Sequence, residues 1–214
     1  MIPIASVPLI LASGSPRRVA LLGELGVPFD TVASNEPETI DLRLRPEAQA
    51  AILAERKAEA VASQREAGIV LGADTVVALD DDLLAKPVDD ADATRMLRLL
   101  SGREHCVVTG VAVVDTITGS VDTSTVTSIV HFRALSDREI ASYVATREPR
   151  DKAGAYAIQG LGAGLVSTLE GCFTNVVGLP LCGTARLLRA VGVTIDPTWP
   201  GCRLPDGAPC PRSV

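Results

Sequence analysis

The densest chemistry in the chain is the run Ser13-Gly14-Ser15-Pro16-Arg17-Arg18, set between an apolar stretch and a helical pattern. Residues 7–12 read as a short buried strand, and residues 19–25 repeat apolar side chains at helical spacing. Pro16 suits a first helical turn, so the run places two hydroxyls and two guanidinium groups at a helix N-terminus. Unsatisfied N–H groups beside arginines make a ready anion site, and phosphate is the usual anion. A Ser-capped helix with two solvated arginines satisfies the same residues, and this segment alone does not choose between them.

Asp74 is the strongest single anomaly. It interrupts Ile69-Val70-Leu71-Gly72-Ala73 and Val76-Val77-Ala78-Leu79, where a strand buried on both faces would otherwise run on. A carboxylate there costs free energy unless it is paired, hydrogen-bonded or metal-bound. A general base or a metal ligand is a functional reason to keep it; an Asp near a strand end, bonded to backbone N–H groups through Thr75, is the plain structural one. The residue pattern favours function. Lys57 shares a helix face with Leu53, Ala60 and Val61, so it either snorkels to an edge or reaches an anionic pocket. Lys86, before Pro87, and Lys152, after Asp151, are unremarkable in isolation. The acidic loop with Glu36 and Glu38 can hold a hard divalent cation together with Asp74, or simply be solvated. The amide of Gln159 can read the donor–acceptor edge of a nucleobase, though surface glutamines are commoner than base readers.

Several classes fall away on composition. The chain has 214 residues, 47% hydrophobic and 21% charged, as expected of one globular domain. Aromatics are only 3% and the formal net charge is -6, which disfavours nucleic-acid binding by stacked rings or a basic surface. No run of about 18 apolar residues predicts a membrane span, and the N-terminus has no secretory pattern. Five cysteines, Cys106, Cys172, Cys182, Cys202 and Cys210, are scattered without CxxC spacing and read as reduced residues of a cytoplasmic protein. Zinc is disfavoured, since only His105 and His131 would help and neither stands at ligand spacing from a cysteine.

The elements that must position these residues can be traced along the chain. Strands are expected at 28–34, 69–79, 106–115 and 121–132, with a hairpin partner at 83–86 across the acidic turn at 80–82. Helices are expected from Pro46 to about residue 66, at 90–100, after the capping box Ser136-Asp137-Arg138-Glu139, and from near Pro180 to about residue 191. Short strands are expected at 155–158 and 164–169. Residues 1–195 form the domain, and the Pro- and Gly-rich tail 196–214 is expected to be disordered or lightly packed. The mixture predicts an α/β domain with a mixed sheet. The glycines of 160–164 depart from dinucleotide-loop spacing with no helix after them, and a Walker A loop is absent.

Together these segments resemble the Maf family of nucleoside triphosphate pyrophosphatases, also called septum formation inhibitors. The resemblance rests on LILASGSPRR at 9–18, LAERKAEAVA at 53–62 and LGADTVVALDDDLLAKP at 71–87. It continues through MLRLLSGREHCVVTGVAV at 96–113, EPRDKAGAYAIQG at 148–160 and VVGLPL at 176–181. It implies a single elongated α/β domain of the Maf/ITPase-like kind, its mixed twisted β-sheet flanked by helices around a central cleft. The implied reaction is hydrolysis of a nucleoside triphosphate to the monophosphate and pyrophosphate with a divalent metal, Mg2+ or Mn2+. DKAGAYAIQG resembles the subfamily acting on dTTP and UTP, with Ala157 where the usual version has Gly; the 7-methyl-GTP subfamily lacks this pattern. By motif, Asp74 corresponds to the proton acceptor, and Arg17, Thr75 and Gln159 to specificity determinants. Ser13, Arg18, Lys57, Lys86 and Glu38 match pocket positions, with Glu38 and Asp74 as the implied metal ligands. A homodimer is compatible with the resemblance, as is a nucleotide-binding regulator of cell division in which binding rather than hydrolysis matters.

Overall fold

The computed structural model describes residues 7–41, 43–80 and 82–211; Asp81 of the acidic turn and the end of the tail lie outside them. Seven strands form one mixed sheet in the order β2-β1-β3-β5-β6-β7, with β4 added beside β3. They are β1 (Leu9–Leu11), β2 (Asp30–Thr31), β3 (Ile69–Leu79), β4 (Asp82–Leu84), β5 (Glu104–Asp115), β6 (Val121–Phe132) and β7 (Val166–Glu170). Pairing is parallel between β1 and both β2 and β3, and antiparallel elsewhere. Among the described residues the α-helices are α1 (Pro16–Gly23), α2 (Pro46–Ala62), α3 (Asp90–Leu100), α4 (Asp137–Ala145), α5 (Phe173–Val177) and α6 (Leu181–Ala190).

The two faces of the sheet are covered differently. Alternation along β1 sends Leu9 and Leu11 into a large core with Leu22, Leu97, Leu100 and Leu188. Ile10 and Ala12 go to the other face, against Ala54, Ala58 and Val61 of α2. That helix lies unusually close, because Gly72 and Gly110 leave room for its backbone. A Cβ on Gly72 would stand 2.2 Å from the Ala54 carbonyl oxygen, and one on Gly110 2.3 Å from that of Ala50. Asp74 is opposite Gly110 in the β3–β5 register, so the close approach brings α2 over the carboxylate.

A gap in the sheet makes the cleft. β1 pairs with residues 69–71 of β3, and β4 takes up the same edge only at Val77. Between them, the edge of β3 that carries Asp74 and Thr75 is left without a partner strand among the described residues. Ligands of open α/β sheets bind beyond the carboxyl ends of such parallel strands.

Several expectations from sequence change. The expected strand at 28–34 shrinks to Asp30–Thr31. Residues 155–158 are irregular rather than extended in a sheet, following two 3-10 turns at Glu148–Asp151 and Ala153–Ala155. Ala155 and Tyr156 are apolar there because they pack into the core. The strand expected at 164–169 begins only at Val166, after another 3-10 turn. The tail is not lightly packed: Cys202 and Cys210 are buried, and Arg203 pairs with Pro209 in a small hairpin. Nor do the cysteines stay scattered, since the sulfurs of Cys172, Cys202 and Cys210 converge within 4.8 Å of one another. The capping box at Ser136 and Glu139 forms as read, with both reciprocal hydrogen bonds present.

Candidate functional site

The unpaired edge of β3 opens into a cleft of about 340 Å³. Ser13, Arg17, Arg18, Glu38, Lys57, Asp74, Thr75, Lys86 and Gln159 all line it, although they come from segments up to 146 residues apart. Glu36 is not among the described residues that do.

On one face of β3 the cleft holds a charged cluster. Lys57 of α2 donates to Asp74 Oδ1 at 2.6 Å and to Glu38 Oε1 at 2.7 Å. Lys86, just past β4, donates to the other Glu38 oxygen. The lysine and aspartate side chains are only 8% and 7% exposed, so this ion pair is held largely away from water. Burial works against the charge on Glu38, but hydrogen bonds from Lys57 and Lys86 prevail and bring its pKa down to about 2. Glu38 is therefore an anion at every physiological pH.

On the other face the groups are neutral apart from one guanidinium. Arg18, in the first turn of α1, donates through Nε to the Gly178 carbonyl at 2.8 Å and through Nη2 to Thr75 Oγ1 at 3.2 Å. Burial lowers its pKa, while Asp74 and Glu38 oppose that shift. Both partners of Arg18 are uncharged oxygens, so its positive charge is left to attract an anion. Thr75 shares a hydrogen bond of 2.9 Å with Thr109, whose hydroxyl donates to the Asn175 carbonyl and whose N–H donates to Asn175 Oδ1. Ser15 is the N-terminal cap residue of α1 by position, yet its side chain makes no capping bond. The plain Ser-capped reading of this segment therefore does not hold.

The rim adds charges that sequence reasoning passed over. Arg17 pairs with Asp151 at 3.3 Å, and Lys152 donates to Asp151 at 2.5 Å and to the Glu148 carbonyl at 2.7 Å. Asp151 and Lys152 both line the cleft, as do Tyr156 and Ala157. Adjacent opposite charges in a turn look like ordinary surface, and only folding carries them to Arg17. Asn175 and Thr109 left no trace in sequence, being single polar residues within apolar stretches. The Gly178 carbonyl is a main-chain group and has no signature at all.

Two carboxylates, a ring of cations and an open strand edge define a class of site: a cleft for a polyanion with a carboxylate set beside it. The donor set also suits a hard divalent cation. Glu38 and Asp74 share the Lys57 ammonium, and magnesium commonly takes one or two carboxylates plus substrate phosphates.

Comparison with known proteins identifies the family. The family model described as "Maf-like protein" matches residues 8–191, and the chain belongs to that family. A dTTP/UTP pyrophosphatase of Syntrophotalea carbinolica is 48% identical, over 86% of this chain and 84% of its own length. Proteins of the same name from Geobacter sulfurreducens and Moorella thermoacetica are 48% and 49% identical, each covered over 96% of its length and covering 86% and 87% of this chain. A solved nucleoside-triphosphatase / dITP/XTP pyrophosphatase of Mycobacterium abscessus is similar only loosely, with a TM-score of 0.43 and 16% identity over 86% of this chain and 94% of that one. No helix among the described residues is long and apolar enough to cross a membrane.

Proposed function

We propose that the cleft hydrolyses a pyrimidine nucleoside triphosphate, dTTP or UTP, to the monophosphate and pyrophosphate. The observation that carries this reading is the placement of Asp74. It is a buried carboxylate at an unpaired strand edge, held by Lys57 and facing the cations that a triphosphate needs. Relatives 48% identical over most of the chain are dTTP/UTP pyrophosphatases, which supports the same reaction.

Arg18 and the first turn of α1 draw in phosphate oxygens, while Arg17, Lys86 and Lys152 exchange rim carboxylates for the ligand. Water attacks the α-phosphorus as its proton passes to Asp74 Oδ2, the oxygen that Lys57 leaves open. Lys57 keeps the carboxylate fixed. Pyrophosphate leaves against the guanidinium and ammonium groups, which stabilise its growing charge. Glu38 and Asp74 would hold a divalent cation, which when bound neutralises phosphate charge. Gln159 and Thr75 set nucleotide choice from the cleft wall, which Ser13 also lines. A cytoplasmic site of action fits a substrate drawn from the nucleotide pool.

The test is product identity. Incubation with dTTP or UTP and magnesium should release pyrophosphate and the monophosphate in equal amounts, with Asp74→Asn slower by about 100- to 10,000-fold. Release of orthophosphate instead, or undiminished turnover by Asp74→Asn, would overturn the assignment.

A further inference from the structure

Away from the cleft, four of the five cysteines gather in a pattern C-x9-C-x19-C-x7-C that resembles no local metal motif. Cys172 precedes α5, Cys182 lies in the first turn of α6, and Cys202 and Cys210 stand on the hairpin of the tail. The sulfurs of Cys172, Cys202 and Cys210 all fall within 4.8 Å of one another. The Cys182 thiol, on the neighbouring helix, interacts with that of Cys202. Cys172 and Cys202 are separated by 3.8 Å. A tetrahedral zinc–thiolate centre with bonds of about 2.3 Å has sulfur–sulfur edges of about 3.8 Å, whereas a disulfide needs about 2 Å.

We propose that Cys172, Cys182, Cys202 and Cys210 form a structural zinc site that clamps the C-terminal hairpin to the body of the domain. On binding, each thiol S–H gives its proton to water as a zinc–sulfur bond forms, so no oxidant or reductant is needed.

The hairpin itself argues for such a clamp. Leu204 to Gly207 is a tight turn with Pro205 in its second position, closed by the Gly207 N–H on the Leu204 carbonyl at 2.9 Å. The Cys210 N–H then bonds the Cys202 carbonyl at 2.9 Å, which sets the two sulfurs side by side. Between those cysteines nothing is buried, so the loop offers almost no apolar surface to hold it down. Small elements without a core of their own are commonly fastened by metal or disulfide.

The surroundings also suit thiolates. Thr174 Oγ1 lies 3.2 Å from the sulfurs of both Cys172 and Cys202, and it accepts the Leu181 N–H, which leaves its own proton for a sulfur. The Cys172 backbone is fixed by two hydrogen bonds with Ser128 Oγ, which also receives Asn175 Nδ2. Such outer partners orient metal ligands. The family match ends at residue 191, so Cys202 and Cys210 lie beyond it. The expectation from sequence that zinc is disfavoured counted neighbours along the chain, whereas the fold brings distant sulfurs together.

The full chain, produced with zinc in the medium and purified without chelator, is assayed by plasma mass spectrometry after dialysis against magnesium. About one zinc per chain is expected, falling at least tenfold in Cys202→Ser and in Cys210→Ser, and unchanged in Glu38→Gln. Since those serine variants can fail by unfolding, the unaltered chain is also loaded with Co2+. Intense thiolate-to-cobalt charge transfer with tetrahedral d–d bands is the expected spectrum. A chain that takes up neither metal overturns the proposal. So does zinc lost in Glu38→Gln but kept in Cys202→Ser, or an intact mass that reports a disulfide among these cysteines.

Discussion

Asp74 and Thr75 are neighbours on one strand, yet they face two different polar worlds. On one side, Asp74, Lys57 and Glu38 form a charged cluster that opens to the cleft. On the other, Thr75 at the cleft wall begins a neutral chain of hydroxyls and amides that runs beneath it through Thr109, Asn175 and Ser128 toward Cys172. The contrast has a physical basis. On the proposed function, charges facing the cleft exchange protein partners for phosphate and metal, so they serve chemistry. Neutral groups sealed under the cleft have fixed partners, so they serve position. His105 extends the neutral side, with Nε2 at 2.7 Å from the Tyr156 hydroxyl and its ring edge-on to Phe132 and Tyr156.

The strongest challenge to this division is Asp74→Asn, whose activity loss should far exceed its change in melting temperature. If stability falls while turnover survives, the charged side is structural too. Next comes Lys57→Met, which strands a buried carboxylate; chemical denaturation should report a loss of about 3 kcal/mol. An unchanged midpoint would mean that Asp74 is better hydrated than its 7% exposure implies.

A pH titration sharpens the comparison. Burial, with a smaller effect of His131, lowers the His105 pKa from 6.5 to about 4. Unfolded, His105 takes up a proton first, so its stabilisation is full above about pH 6.5 and is lost as pH falls through 4. The loss should approach about 3 kcal/mol, and His105→Leu should flatten that part of the curve. The depressed pKa of Glu38 acts lower, its share being present above about pH 4.5 and lost toward 2. Two separable acid limbs are expected, the upper one belonging to the neutral side. The smallest effect is that of Asn175→Ala. It deprives the Thr109 N–H, the Val107 carbonyl and Ser128 of partners and should cost about 2 kcal/mol. The folded fraction should keep its turnover within a few-fold; a loss rivalling that of Asp74→Asn would erase the distinction between the two sides.

How much of this was legible depends on how far each signal travels along the chain. Asp74 stood out because a carboxylate in an apolar run violates a local rule, and α2 was readable from Pro46 and its alanines. Lys57 was ambiguous by itself, since its stripe is equally apolar whether the ammonium meets solvent or a carboxylate. Residues 155–158 misled, because their apolar character arises from packing beneath the cleft rather than from sheet pairing. Asp151 meets Arg17 across 134 residues, and no window of sequence contains both.

The amino-acid order alone determined most of the elements, the anomalous carboxylate and a candidate anion site at Ser13 to Arg18, because these depend on periodicity, capping and local polarity. Only the tertiary structure decided which charges meet. Two glycines admit α2 close to the sheet, a short β1 leaves an edge open, and the tail folds back to bring the sulfurs of Cys202 and Cys210 to that of Cys172. Each is a matter of distance in space, fixed by packing between segments that carry no local mark of their partners.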